Sequence, residues 1–177
     1  MEIEFDEDDR ATAYHEAGHA AAALVFGMHP HCATIVPDDE GEALGHTQRL
    51  YEDLVSLDGS SDGYRQTAIA YYAGAEAQRR VDDDLERIRI GALGDHIEAK
   101  GLLASTVMGE EEVREQAVAF VDEHWPLVDR IAVELLAHRT LGPEELDTLH
   151  EIYRGGATDQ DWLELRDVSE RRKSQQP

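Results

Sequence analysis

The sequence predicts a mainly α protein with one small β-hairpin close to its first helix, and three observations lead to that class. Apolar residues recur at helical spacing in long stretches around 9–26, 64–81 and 110–139. Breakers such as Gly27, Asp82-Asp83-Asp84 and Gly142-Pro143 separate stretches of this kind. Between the first two stretches lies a short β-type run, Cys32-Ala33-Thr34-Ile35-Val36-Pro37.

Asp9 to Phe26 predicts the first helix, with Ala13, Ala17, Ala20, Ala21, Leu24 and Val25 along it, Asp9 or Thr12 as its cap and Gly27 as its end. So many alanines permit a close neighbour. Pro37 and Asp38-Asp39-Glu40-Gly41 stop the β run, and Ala43 to Leu50 is the expected partner strand, with a bulge or break at Gly45. Ser56 to Gly63 reads as a connection. Tyr64 to Val81 predicts a second helix, in which Tyr71 and Tyr72 read as core. Gly74 in its interior costs about 1 kcal/mol relative to alanine, which points to a close helix contact there.

The next helix is expected from Asp95 to about Met108. Glu110 to Arg139 follows as a long helical stretch with an acidic start, kinked or split at Pro126. Gly142-Pro143 opens a helix to about Tyr153, which Gly155-Gly156 ends. Asp159 to Val168 reads as one more short helix and Arg171 to Pro177 as a disordered tail. Residues 1–156 are thereby assigned to one domain and 157–177 to a C-terminal extension.

With 177 residues, 41% of them hydrophobic, the chain is long enough to bury one sizeable core. Its 39 acidic and 16 basic residues leave a net charge of −23. That charge argues against binding to nucleic-acid backbones and against attraction to anionic membranes, both of which need positive surface. The acidic start lacks the basic end and apolar run of a signal peptide, and Ala20 to Phe26 is too short to cross a bilayer. A cytoplasmic protein without a membrane segment is the expectation. The lone Cys32 allows no internal disulfide and reads as a small buried hydrophobe.

Inside the first helical stretch stands Tyr14-His15-Glu16-Ala17-Gly18-His19, an H-E-x-x-H pattern. Histidines four apart on a helix share one face and can share one metal ion. Glu16 stands about 100° round from His15, beside such a metal, where a carboxylate can work on a water that the metal makes acidic. Read without a metal, the same histidines belong to the surface of a purely structural helical domain. The metal reading needs a third ligand. Asp95 has two readings: spacing alone favours a helix cap, with Glu98 completing a capping box, over a carboxylate ligand presented at a helix start. His29, His31 and His46 read as loop or surface histidines.

Several segments together resemble the peptidase domain of the FtsH-type AAA+ zinc proteases. His15-Glu16-Ala17-Gly18-His19-Ala20 is similar to that family's H-E-A-G-H-A. Thr34-Ile35-Val36-Pro37 with Ala43-Leu44-Gly45-His46-Thr47 is similar to its I-I-P-R-G … A-L-G-Y-T hairpin. Tyr72-Ala73-Gly74-Ala75-Glu76-Ala77 resembles the helix carrying G-G-R-A-A-E, and Gly91-Ala92-Leu93-Gly94-Asp95 resembles G-A-S-N-D. Ile131 to Leu149 looks like the family's closing helices.

The resemblance implies a zinc metallopeptidase with His15, His19 and Asp95 as ligands to Zn2+ and Glu16 as general base. It also implies that the hairpin at Gly45, His46 and Thr47 offers an edge strand to an extended substrate. Substrates would be peptides or unfolded protein segments, or proteins handed over by a separate ATPase or unfoldase, and the family's ring assembly implies a homo-oligomer. The alternative is a non-proteolytic adaptor on the same fold that keeps its metal. The sequence departs from the family in showing neither an ATPase module nor a membrane segment. Asp38-Asp39 stand in place of Arg-Gly, Gln78 in place of the Glu of A-A-E, and Gly94-Asp95-His96 in place of Asn-Asp-Leu. These changes bear on the surroundings of the metal and on substrate preference more than on the ligands themselves.

Overall fold

A helix buried on every side needs small side chains wherever another helix must approach it, and α1 (Glu7–Val25) is built that way. Every residue from Ala13 to Leu24 is buried, including His15, Glu16 and His19. The computed structural model describes residues 6–37, 46–48, 61–104 and 106–174. Within them α1 is followed by β1 (Cys32–Thr34), β2 (His46–Gln48), α2 (Ser61–Arg79), α3 (Leu85–Gly91) and α4 (Leu93–Leu103). Then come α5 (Glu110–Glu123), α6 (Trp125–His138), β3 (Thr140–Leu141), α7 (Pro143–Arg154) and α8 (Asp159–Ser174). The mainly α class with a small sheet is what the periodicity predicts.

The central helix packs most extensively on α2 and α6, and α2 in turn packs on α4 and α5. The α1–α2 contact is close because both helices are small there. A Cβ at Gly18 would overlap the Ala73 carbonyl, and a Cβ at Gly74 would overlap the His19 ring. The close contact expected at Gly74 is thus made with a histidine. On the other side, Tyr14 stacks on Trp125 with ring centroids 5.5 Å apart and donates to Asp129 Oδ1 at 2.6 Å. Burial and the Asp129 carboxylate push the Tyr14 hydroxyl up to about 12.

Helix ends follow local chemistry, with some shifts from expectation. The cap of α1 is Asp6, which accepts from the Asp8 N–H at 3.2 Å, rather than Asp9 or Thr12. Thr12 lies inside the helix and donates to Asp8 O, while Asp9 pairs with Arg139 at 2.7 Å. Gly27, at φ 76°, follows α1 in the left-handed conformation that favours glycine. Pro126 stands in the first turn of α6, so the long stretch is split just ahead of it. Gly155, also left-handed, ends α7.

Three elements depart further. Helix α3 has no counterpart among the expected elements: Asp84 caps it by accepting from the Glu86 and Arg87 N–H groups, both at 3.0 Å. Helix α4 starts at Leu93 and stops at Leu103, short of Met108, because Thr106 donates from both its N–H and its hydroxyl to the Leu103 carbonyl. Helix α8 runs on to Ser174, through Arg171 and into the stretch read as a tail. Trp162 of α8 is buried in the common core, and Arg166 pairs with Glu145 of α7.

The sheet has the order β2-β1-β3, antiparallel throughout. Cys32, Ala33 and Thr34 face Gln48, Thr47 and His46, which is the expected hairpin pairing. Gly45 and the rest of 38–45 lie outside the described residues. The short strand β3 adds Thr140 and Leu141 to the other side of β1. Arg139, at φ 64°, turns the chain from α6 into β3, and its carbonyl accepts from the Ile35 N–H at 2.8 Å. Cys32 is partly exposed at the start of β1, not buried as its residue type suggests. None of the helices among the described residues is long and apolar enough to cross a membrane.

Candidate metal centre

Helix α1 presents His15 and His19 one turn apart on the side facing α2 and α4, and α4 brings Asp95 to them. Three atoms converge. His15 Nε2 stands 3.0 Å from His19 Nε2 and 3.1 Å from Asp95 Oδ2, and His19 Nε2 stands 3.3 Å from Asp95 Oδ2. Ligand atoms held ~2.0–2.1 Å from one tetrahedral zinc ion stand about 3.3–3.4 Å apart, so the triangle is close to one face of such a tetrahedron. Among the described residues this is the one group of His, Cys, Asp or Glu side chains with metal-ligand spacing.

Asp95 is therefore not the cap of its helix. It sits in the first turn of α4, whose N-cap position is Ala92 and carries no side-chain cap. The helix starts two residues earlier than the spacing suggests, which turns the carboxylate inward toward α1. His29 is exposed at 3.5 Å from Asp147, and His96 lies with its ring 5.4 Å from that of Tyr72. Neither belongs to the triangle.

Each histidine is oriented from behind. His19 Nδ1 donates to the Ala70 carbonyl of α2 at 2.8 Å, since a carbonyl can only accept. His15 Nδ1 donates to Gln78 Oε1 of α2 at 3.1 Å. Both imidazoles thereby carry their proton on Nδ1 and turn the Nε2 lone pair toward Asp95. Such bonds on the far nitrogen are the usual support of a metal-binding histidine. Three lone-pair atoms about 3 Å apart in a buried place repel one another unless a cation lies among them.

The electrostatics carry the same demand for positive charge. Burial disfavours a charged His19, but the Asp95 carboxylate and the nearby Glu16 outweigh it and push the ring up to about 9. Burial likewise works against the Asp95 charge, yet the His19 and His15 rings hold it far below the usual carboxylate range. Without a metal the place takes a proton; with one, the proton is displaced. The donor set and its spacing fit zinc.

Glu16 follows His15 directly and is only 5% exposed, so its carboxylate is kept inside the fold with the triangle. Tyr71 is buried too, and burial with the Glu98 and Asp95 charges raises its hydroxyl above the ordinary range, so it stays protonated. Of the expected substrate edge, His46 and Thr47 lie in β2, and Gly45 is outside the described residues. Sequence reasoning misses the supports: the Ala70 carbonyl, which no side chain marks, and Gln78, which reads only as a departure from a family pattern. Gly74 signals a close contact in the sequence without indicating its partner.

A mainly helical domain with a buried His/His/Asp group is thus the class defined by fold and site. No protein-family model matches the chain. Over 79 residues it is 44% identical to the ATP-dependent zinc metalloprotease FtsH 1 of Bdellovibrio bacteriovorus, a match covering 43% of this chain and 12% of that protein. Over 56 residues it is 50% identical to the ATP-dependent zinc metalloprotease FtsH 4 of Sorangium cellulosum, covering 29% of this chain and 8% of that protein. Both matches thus span a small part of those relatives, and they support an FtsH-related region in this chain.

Proposed function

We propose that the protein is a zinc metallopeptidase, with His15, His19 and Asp95 as the metal ligands and Glu16 as the general base. The observation that carries this reading is the buried triangle of His15 Nε2, His19 Nε2 and Asp95 Oδ2, each histidine fixed from behind by α2. A metal-independent structural domain has no use for three converging acceptors. The partial likeness to two zinc metalloproteases supports the same class.

Zinc held there supplies Lewis acidity toward a water molecule and a substrate carbonyl. The chain's own residues do the rest. His15, His19 and Asp95 would hold the ion by three protein atoms and so would leave room for a water or a substrate oxygen. Glu16 takes the proton released at attack on the scissile carbonyl and passes it to the leaving amine, as a buried carboxylate one residue from a ligand can. The neutral Nδ1–H forms of both rings keep their Nε2 atoms available throughout. Strand β2, at the end of the sheet order among the described residues, is the backbone edge for an extended peptide or unfolded segment. Proteins passed on by a separate ATPase or unfoldase would reach the same edge.

Metal analysis of the purified protein beside a His19→Ala variant tests the metal. About one zinc per chain, lost in the variant, is expected. Glu16→Gln then tests the base: zinc stays bound and peptide hydrolysis disappears. Hydrolysis that survives in Glu16→Gln would remove the role given to Glu16, and zinc-loaded protein that cleaves no member of a diverse peptide library would point to the adaptor instead.

A further inference from the structure

We propose that Gln78 and Asp82 are a matched pair that sets the tautomer of His15, with Asp82 requiring a carboxamide rather than a carboxylate at position 78. The inference rests on the zinc reading only in its consequence for metal affinity.

His15 can offer its Nε2 lone pair to a metal only while its proton sits on Nδ1. The partner of Nδ1 is Gln78 Oε1 at 3.1 Å. A carboxamide, however, has two ends of nearly equal size. Turned over, it would aim its NH2 at Nδ1, demand a lone pair there and drive the imidazole proton onto Nε2, into the triangle. Something must hold the amide one way round.

Asp82 does so. Its Oδ2 stands 2.9 Å from Gln78 Nε2, and an ionised carboxylate only accepts. The Gln78 NH2 must therefore point at Asp82, which leaves Oε1 for His15. Gln78 is 4% exposed and Asp82 7%, so water does not compete for either. Asp82 is itself fixed: Arg87 Nε donates to its Oδ2 at 2.8 Å, an Arg87 terminal nitrogen donates to its Oδ1 at 2.7 Å, and the Asp84 N–H donates to Oδ1 at 2.9 Å. Those bonds keep its carboxyl ionised, below the usual range. Arg87 also bonds Asp8 on α1 at 2.6 Å, which closes a chain from the start of α1 back to its metal-facing histidine.

Glutamate at position 78 could accept from His15 as well as glutamine does. It would also place a second carboxylate where Asp82 now receives a proton donor, at 2.9 Å and out of water. One of the two would have to take up a proton or swing away, and the support of His15 would go with it. Alanine at position 82 removes that conflict, because it takes the second carboxylate away and leaves the Arg87 donor, now on Asp82 Oδ2, beside the one that Gln78→Glu introduces.

The test uses Gln78→Glu, Asp82→Ala and the double variant, each in the full chain. Zinc affinity is measured by competition with a chromophoric chelator, and cobalt(II) absorption reports the ligand geometry. Gln78→Glu is expected to weaken zinc binding about 10–100-fold, and the double variant to recover most of the loss together with the native cobalt spectrum. Equal affinity in Gln78→Glu and the parent protein, or a double variant no better than the single one, overturns the pairing. Nitrogen-15 spectra of the imidazoles in metal-free protein provide a readout independent of zinc. His15 is expected as the Nδ1–H tautomer in the parent chain and as a mixture in Asp82→Ala, which leaves nothing at position 82 to hold the Gln78 amide. An unchanged tautomer there also overturns it. A parent chain that binds no zinc but shows this tautomer change would reject the zinc reading and leave the pair standing.

Discussion

Gly74 of α2 lies against the imidazole of His19 on α1, so near that a Cβ at position 74 would overlap Nε2 and Cε1 of the ring. In an open helix Gly→Ala gains about 1 kcal/mol. Overpacking in a tight core costs ~1–3 kcal/mol, so at this position the clash wins. Gly74→Ala is expected to lower stability in urea unfolding and to lose bound zinc, because His19 is the group displaced. A variant that gains stability and keeps its zinc would contradict this contact.

Asp95 is not the N-cap of α4, whose N-cap position is Ala92. Replacing it by alanine should therefore leave the helical content measured by circular dichroism unchanged while zinc binding falls by more than the about 10–100-fold expected for loss of a residue that only supports a ligand. Loss of helix with retained metal would restore the capping role.

His19 makes the stability of metal-free protein depend on pH. Its folded-state value of about 9 lies above the ordinary 6.5, because Asp95 and Glu16 outweigh burial. The folded state then holds a proton that the unfolded chain gives up. The resulting stability is complete below about 6.5 and is lost as pH rises through about 9. The melting temperature of metal-free protein should fall over that window, and His19→Ala should flatten the fall. Zinc competes with the same proton, so zinc affinity should rise over the same window.

Tyr14 joins α1 to α6 through its 2.6 Å bond to Asp129. A hydrogen bond to a charged partner contributes about 1.5–3 kcal/mol. Tyr14→Phe should lower the unfolding free energy by about the smaller of those figures, because Asp129 keeps partial access to water. His15 and His19 lie on other faces of α1, so zinc content should stay at the parent level.

Much of the fold is legible in the chain itself, for reasons that are local. The spacing of Ala13, Ala17, Ala20 and Ala21 defines α1, Gly27 ends it, Pro126 separates α5 from α6, and Gly142-Pro143 starts α7. Each acts within a turn or two of where it stands. The seven-residue α3 and two-residue β3 are too short to carry a periodic signal, and they appear only once their neighbours are in place.

His15 and His19 can be paired from the sequence because four residues of helix bring them to one face. The part played by Asp95 cannot be, since a helix cap and an inward carboxylate have the same local spacing. Docking of α4 on α2, beside α1, turns that carboxylate toward Nε2 of both histidines. Likewise Gln78 in the sequence is only a missing charge; across the α1–α2 contact it is the acceptor that His15 needs, held the right way round by Asp82. The sequence determined the helices and which histidines share a face. The tertiary structure decided which atoms converge, because convergence depends on how separate helices dock and no local periodicity encodes that.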